Sequence, residues 1–76
     1  MKPNLILYST EACHLCDEAE AILHNAGLAW QKIDIIEDEQ LLQRYGTSIP
    51  VLLRVNNGHS LNWPFRLHDV LQLVQQ

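Results

Sequence analysis

The stretch LILYSTEACHLCDEAEAILHNAG, residues 5–27, contains the pattern from which the fold is predicted. It begins with a continuous apolar run, Leu5-Ile6-Leu7-Tyr8, which is typical of a strand covered on both faces. Apolar residues then recur at helical spacing: Leu15, Ala19, Ile22, Leu23 and Ala26. Gly27 is expected to end this helix in the left-handed conformation. The only cysteines of the chain, Cys13 and Cys16, therefore lie where a strand runs into the first turn of a helix.

The middle of the chain predicts a second strand and a short second helix. The strand extends from Ala29 to about Ile36. The helix begins at Glu37 or Asp38 and ends at Gly46. One side of this helix is expected to carry its apolar residues, Leu41, Leu42 and Tyr45.

The last third of the chain predicts a hairpin and a closing helix. The sequence Asn56-Asn57-Gly58 is typical of a tight hairpin turn, and it separates the strand-like runs Val51–Val55 and His59–Asn62. The closing helix carries apolar residues at Leu67, Val70, Leu71 and Val74, and Pro64 is expected to help start it.

The order strand, helix, strand, helix, hairpin, helix predicts an α/β fold. Right-handed crossovers make the first two strands parallel neighbours. Cys13 would then lie at the carboxyl end of a strand, and this is the edge at which α/β proteins place their chemistry.

Length and composition limit the function classes. The 76 residues predict one domain, residues 1–76, and the net charge of −4 leaves no basic patch for nucleic acid. No apolar stretch approaches the ~20 residues that cross a bilayer, and Met1-Lys2-Pro3-Asn4 does not resemble the start of a secretory signal. We therefore expect a cytoplasmic protein that contacts no membrane, and in that compartment a purely structural disulfide is disfavoured.

A Cys-x-x-Cys at a helix start predicts a redox pair. The unpaired backbone N–H groups and the positive dipole end favour the thiolate of Cys13, which is expected to attack disulfides. Cys16 lies one turn inward and is expected to resolve the mixed disulfide. Protonated His14 stabilises the thiolate, whereas Glu11 and Asp17 oppose it, so the sign of the net effect stays open.

Metal binding is the alternative use of the two thiols. Structural zinc requires four ligands, and the histidines show no matching spacing: His14, His24, His59 and His68. An iron–sulfur cluster shared between two copies of the chain through Cys13 also stays open. For disulfide exchange no bound cofactor is required.

Two segments give the chain its resemblance to a known family. With Cys13-His14-Leu15-Cys16 after Leu7-Tyr8-Ser9-Thr10, and with Thr47-Ser48-Ile49-Pro50-Val51, it resembles the glutaredoxin-like branch of the thioredoxin superfamily, and within it a group of small bacterial proteins. The resemblance implies a three-layer α/β/α sandwich with a four-stranded mixed sheet in the order 2-1-3-4 and three helices. It also implies a cis Ile49–Pro50 peptide bond.

The same resemblance implies a thiol–disulfide oxidoreductase with Cys13 as nucleophile and Cys16 as resolving thiol. Ile49, beside Pro50, would present a backbone edge to an extended substrate. The residues expected to contact substrate are Tyr8, His14, Leu15, Ile49, Pro50 and Trp63. The competing hypothesis is a non-catalytic binding or accessory module with the same fold.

The expected electron donor is inferred from positions at which this sequence differs from that of glutathione-using relatives. Those relatives carry Cys-Pro-Tyr-Cys, Thr-Val-Pro and a Gly-Gly pair before an acidic residue. Here the last segment is Leu61-Asn62-Trp63-Pro64-Phe65, whose bulky rings leave little room for a ligand backbone. We therefore expect a glutathione-independent protein.

The expected partners are a disulfide-containing protein or small molecule and a thioredoxin reductase, and the chain is expected to be monomeric. Trp63 and Phe65 would form the landing patch for the reductase, or would pack beneath the last helix.

Overall fold

The computed structural model describes residues 3–75, so Met1, Lys2 and Gln76 lie outside the described residues. Met1 and Lys2 belong to the N-terminal segment that was compared with a secretory signal. The elements follow in this order: β1 (Leu5–Ser9), α1 (His14–Asn25), β2 (Gln31–Asp34), a 3-10 turn (Ile35–Glu37), α2 (Glu39–Tyr45), β3 (Val51–Arg54), β4 (Ser60–Asn62) and α3 (Leu67–Gln75).

The strands form one mixed sheet in the order β2-β1-β3-β4. β1 pairs in parallel with β2 and antiparallel with β3, and β3 pairs antiparallel with β4. The predicted order and the three helices are confirmed. β1 is a central strand, so both of its faces must be covered, as its continuous apolar sequence predicts.

Alternation along β1 divides the core into two layers. Leu5 and Leu7 face α1 and α3, whereas Tyr8 faces the 3-10 turn and α2. The first layer contains Leu5, Leu7, Ala19, Leu23, Leu52, Phe65, Val70 and Leu73. The second contains Tyr8, Ile35 and Val51, with Leu41 and Tyr45 packed against them. The predicted three-layer sandwich is therefore confirmed, with two helices on one face of the sheet and one on the other.

The second strand is shorter than predicted. It covers Gln31–Asp34, not Ala29–Ile36, because the Asp34 side chain accepts a hydrogen bond from the backbone N–H of Ile36 at 3.0 Å and starts the 3-10 turn. Asp38 then caps α2 by accepting from the backbone N–H of Gln40 at 2.8 Å, which confirms the predicted helix start.

The two glycines predicted to end helices differ in conformation. Gly27 has φ +70°, the left-handed conformation expected after α1. Gly46 has φ −52°, so α2 ends without a left-handed residue. Its N–H instead donates to the carbonyl of Leu42 at 2.9 Å.

The prediction of which apolar residues form the buried faces of the helices is partly wrong. Four of the leucines assigned to buried faces are exposed by about two fifths: Leu15, Leu42, Leu67 and Leu71. The buried line of α1 instead passes through Cys16, Ala19 and Leu23. In α3 it passes through Val70 and Leu73. Apolar periodicity alone leaves the direction of the buried face uncertain by one position, and packing against the sheet decides it.

The hairpin is confirmed with shorter strands, Val51–Arg54 and Ser60–Asn62. At the end of β3, the Arg54 N–H donates to the His59 carbonyl at 2.8 Å, and Gly58 has φ +74° in the connecting loop. Within residues 3–75, no helix has the length and apolar character that crossing a membrane requires.

The core predicts a clear difference between two leucines. Leu23→Ala removes a fully buried side chain between α1 and the sheet, and it should lower the free energy of unfolding by about 2–5 kcal/mol. Leu71→Ala is the matched control, since Leu71 is 39% exposed, and it should cost about 1 kcal/mol or less. Urea unfolding measures both, and equal losses would contradict the assigned core.

Candidate active site

The strand register brings the predicted site residues to one edge of the sheet. Ser9, the last residue of β1, is paired with Asp34 of β2. Tyr8 pairs with Val51, and Val51 pairs with Asn62. Continued by one residue, the same registers set Pro50 opposite Ser9 and Trp63 opposite Pro50. The four chain segments at this edge therefore include the Cys13 loop, the Ile49–Pro50 bond and Trp63.

Cys13 occupies the N-cap position of α1. Its backbone is extended, with φ −104° and ψ 104°, and its Sγ accepts a hydrogen bond from the backbone N–H of Cys16 at 3.1 Å. A sulfur thus takes the place of the side-chain oxygen that usually caps a helix. The position favours negative charge on Cys13, because the free N–H groups of the first turn and the helix dipole both point toward it.

Cys13 and Cys16 are joined in a disulfide, with their Cα atoms 5.2 Å apart. The two thiols differ in accessibility: Cys16 is 1% exposed, whereas Cys13 is partly exposed. An approaching sulfur therefore reaches Cys13 first. This is the asymmetry expected from the one-turn offset, although the separate roles of the two thiols stay predictions.

The two residues between the cysteines point outward. Leu15 is 43% exposed, and the side chain of His14 is also largely exposed. The His14 Nε2 lies 3.6 Å from a carboxylate oxygen of Glu18, one helical turn away. Both side chains are accessible from outside the protein, and their predicted contact with substrate is untested.

The β3 side of the edge is apolar. The Ile49–Pro50 peptide bond is cis, Pro50 is buried, and Ile49 is partly buried against the α2 layer. Tyr8 is buried with its ring stacked on Tyr45, at a centroid distance of 4.6 Å. Burial raises the pKa of Tyr8 above 10.0, and Tyr45 raises it further. Tyr8 therefore lies beneath this edge as a neutral phenol at neutral pH, and its predicted contact with substrate is untested.

Trp63 lies at the β4 end of the edge and contacts the core. It is partly buried against the layer formed with α1 and α3, and its ring meets Phe65 edge to face at 5.1 Å. Phe65 is 3% exposed. Phe65 therefore packs in the core, as the alternative of packing beneath the last helix predicts, whereas Trp63 keeps a partly exposed surface. The Trp63–Pro64 bond is also cis, which the sequence analysis did not predict.

Sequence reasoning missed the polar side of this edge. Ser9 and Thr10 carry buried hydroxyl groups with no hydrogen-bond partner among residues 3–75. Ala12, just before the motif, has φ +55°, a conformation that is uncommon outside glycine. No sequence pattern predicts these features, since the sequence indicates only that Ser9 and Thr10 are polar residues at the end of a strand. Residues 3–75 include no group of three or more histidine, cysteine, aspartate or glutamate side chains placed to hold a metal ion.

Comparison with known families agrees with this geometry. The model of the family described as "Glutaredoxin-like domain (DUF836)" matches residues 4–75. The chain therefore belongs to this glutaredoxin-like family of the thioredoxin superfamily, as its motifs predict. No protein with curated annotation matches the chain.

Solved structures show the same fold. Protein XcR50 from X. campestris is 35% identical, with a TM-score of 0.85, over 93% of this chain and 95% of that protein. Protein Ne2328 from Nitrosomonas europaea is 29% identical, with a TM-score of 0.73, over 97% and 92% of the two chains. A glutaredoxin from Archaeoglobus fulgidus is 18% identical with a TM-score of 0.68, over 97% and 88%, and shows the fold alone.

The asymmetry of the two thiols predicts their order of alkylation. In reduced protein at neutral pH, iodoacetamide should modify Cys13 about tenfold faster than Cys16, because the helix start favours the thiolate of Cys13 and Cys16 is buried. Peptide mass spectrometry after short exposures measures the two rates. Equal rates, or faster modification of Cys16, would reverse the assigned roles.

Proposed function

We propose that this protein is a thiol–disulfide oxidoreductase that uses Cys13 as nucleophile and Cys16 as resolving thiol. The observation that carries the proposal is the N-cap position of Cys13, with Cys16 bonded to it from one turn further into the helix. Membership of the glutaredoxin-like family supports the same activity.

The reaction transfers two electrons in two exchange steps. The Cys13 thiolate attacks one sulfur of a substrate disulfide, a mixed disulfide forms, and the first substrate sulfur leaves as a thiolate that takes a proton from water. The Cys16 thiol then loses its proton and attacks the Cys13 sulfur. This second step expels the other substrate sulfur and forms the Cys13–Cys16 disulfide.

The helix start assists both steps. In the reduced state the N–H of Cys16, which lies 3.1 Å from the Cys13 sulfur in the disulfide form, is available to stabilise the attacking thiolate. The short Cα separation of 5.2 Å means that the second step needs no large backbone movement. A substrate backbone would lie along the Ile49–Pro50 edge, with the exposed side chains of Leu15 and His14 and the partly exposed Trp63 around it.

The proposed electron donor is a thioredoxin reductase, not glutathione. Support comes from the β4 end of the site, where Trp63 and Phe65 are in edge-to-face contact. Rings occupy the position at which glutathione-using relatives have a small-residue turn. The proposed substrate is a disulfide-containing protein or small molecule, and the monomeric state and cytoplasmic location stay predictions from sequence.

Serine substitutions test the activity. With pre-reduced protein and a model disulfide in a single turnover, Cys13→Ser should abolish thiol release, because the remaining thiol, Cys16, is buried. Cys16→Ser should release one thiol and then stop at a mixed disulfide on Cys13, which intact-mass spectrometry detects. A non-catalytic module would instead give no thiol release with the unsubstituted protein, and Cys13→Ser would leave partner binding intact.

Two electron sources compared side by side test the donor. Thioredoxin reductase with NADPH should reduce the oxidised protein about tenfold or more faster than glutathione with its reductase. The reason is that this protein lacks the small-residue turn at which its relatives bind glutathione. Free thiols are quantified in samples quenched at successive times, which measures both rates on one protein preparation. Efficient reduction by glutathione would show that Trp63 and Phe65 do not obstruct its binding.

A further inference from the structure

A polar cleft of about 410 Å³ lies beside the segment that leads into Cys13. It opens at the carboxyl ends of β1 and β2, on the side of the edge away from Pro50. Its polar lining residues are Ser9, Thr10, Glu11, Gln31, Lys32, Asp34 and Glu37. Its volume is within the range of about 300–1,000 Å³ that is usual for ligand sites.

The negative charge of the cleft is only partly compensated by residues 3–75, because its one cation, Lys32, attracts Asp34 but is hydrogen-bonded to Glu20. Three carboxylates line it, whereas Lys32, its one cation, is bound to Glu20 with Nζ 3.0 Å from the carboxylate oxygen. Glu11 and Glu37 form no ion pair with any residue in the range 3–75. Eight of the nine acidic residues of the chain fall between positions 11 and 39, the part of the sequence that supplies all three cleft carboxylates.

Buried hydroxyl groups give a second and independent indication of a ligand. Ser9 is 0% exposed and lines the cleft, yet its Oγ has no hydrogen-bond partner among residues 3–75. The Oγ1 of Thr10 is buried and unpartnered in the same way. Buried hydroxyl groups in proteins nearly always have partners, so these two adjacent hydroxyls have hydrogen-bonding capacity left for a water molecule or a ligand group from outside the chain.

We propose that this cleft binds an arginine or lysine side chain of the polypeptide whose disulfide exchanges with Cys13. The carboxylates supply the charge, and the hydroxyl oxygens accept hydrogen bonds from the cation. A guanidinium group carries five N–H donors, which suits a site with several separate acceptors. The inference rests on the proposed oxidoreductase function and names the substrate class of that same site.

Position gives this contact a role in substrate selection. Glu11 is two residues from Cys13, so a cation held in the cleft would sit close to the attacked disulfide. The net negative charge of the cleft also raises the rate of encounter with a cationic partner, by up to about 10–10³-fold at low salt. The preference should weaken as salt rises, since exposed charges are screened over about 8 Å at physiological ionic strength.

A binding titration tests the site without any redox step. Oxidised, isotope-labelled protein is titrated with a short peptide that carries one arginine and has serine in place of cysteine. Its control has citrulline, the neutral analogue of arginine. The arginine peptide should shift the amide resonances of Ser9, Thr10 and Glu11 and should bind about tenfold more tightly than the citrulline peptide. Equal affinities would overturn the proposal.

Matched variants separate the cleft from general charge attraction. Glu37→Gln should weaken arginine-peptide binding about three- to tenfold, whereas Glu39→Gln removes the same charge outside the cleft and should change it less than twofold. Ser9→Ala keeps every charge and should also weaken binding, with circular dichroism confirming the fold. An equal loss in Glu37→Gln and Glu39→Gln would show non-specific attraction and overturn the cleft assignment.

A single-turnover assay separates this inference from the proposed function. Pre-reduced protein is mixed with cysteine-containing forms of the two peptides, each as a mixed disulfide with a neutral thiol. Faster reduction of the arginine form supports the inference, and equal rates overturn it while the proposed function stands. If neither peptide is reduced, the oxidoreductase proposal fails, and the binding titration alone then decides whether the cleft holds a cation.

Discussion

The hydrogen bond from the Cys16 N–H to the Cys13 sulfur is the interaction on which the site depends. It requires β1 to end at Ser9 and α1 to begin at His14, so the sheet, the turn through Ala12 and the helix all contribute to it. The same arrangement buries Cys16 and leaves Cys13 partly exposed. One local geometry therefore sets both the charge preference of one thiol and the different accessibility of the two.

The rest of the fold holds that junction in place from both faces of the sheet. Leu7 packs in the layer with α1 and α3, and Tyr8 packs in the layer with α2. Because β1 is covered on both faces, its end cannot shift without exposing apolar surface, at a cost of about 1.5–3 kcal/mol for each large side chain. A strand end packed on both faces beneath a partly exposed sulfur suits the proposed exchange reaction, which needs defined sulfur-to-sulfur geometry.

The edge around the disulfide is divided into two chemically different halves. On the β3 and β4 side lie Pro50, Ile49 and Trp63, which are apolar and suit an extended backbone or a flat partner surface. On the β2 side lie the carboxylates and buried hydroxyl groups of the cleft. A substrate that reaches Cys13 would meet both halves, so its apolar and charged residues would each influence recognition.

The sequence by itself determined the order of the elements, the mixed sheet and the helix start at the cysteines. The element order and the helix start follow from apolar periodicity and capping residues such as Asp38 and Gly27, which act over a few positions. The mixed sheet was implied by the resemblance of the sequence motifs to the glutaredoxin-like family. Only the tertiary structure decided which leucines are buried and that Ser9 lies opposite Pro50. It also decided that Glu11, Asp34 and Glu37 share one cleft. Those features depend on strand register and helix rotation, which are set by contacts between residues distant along the chain.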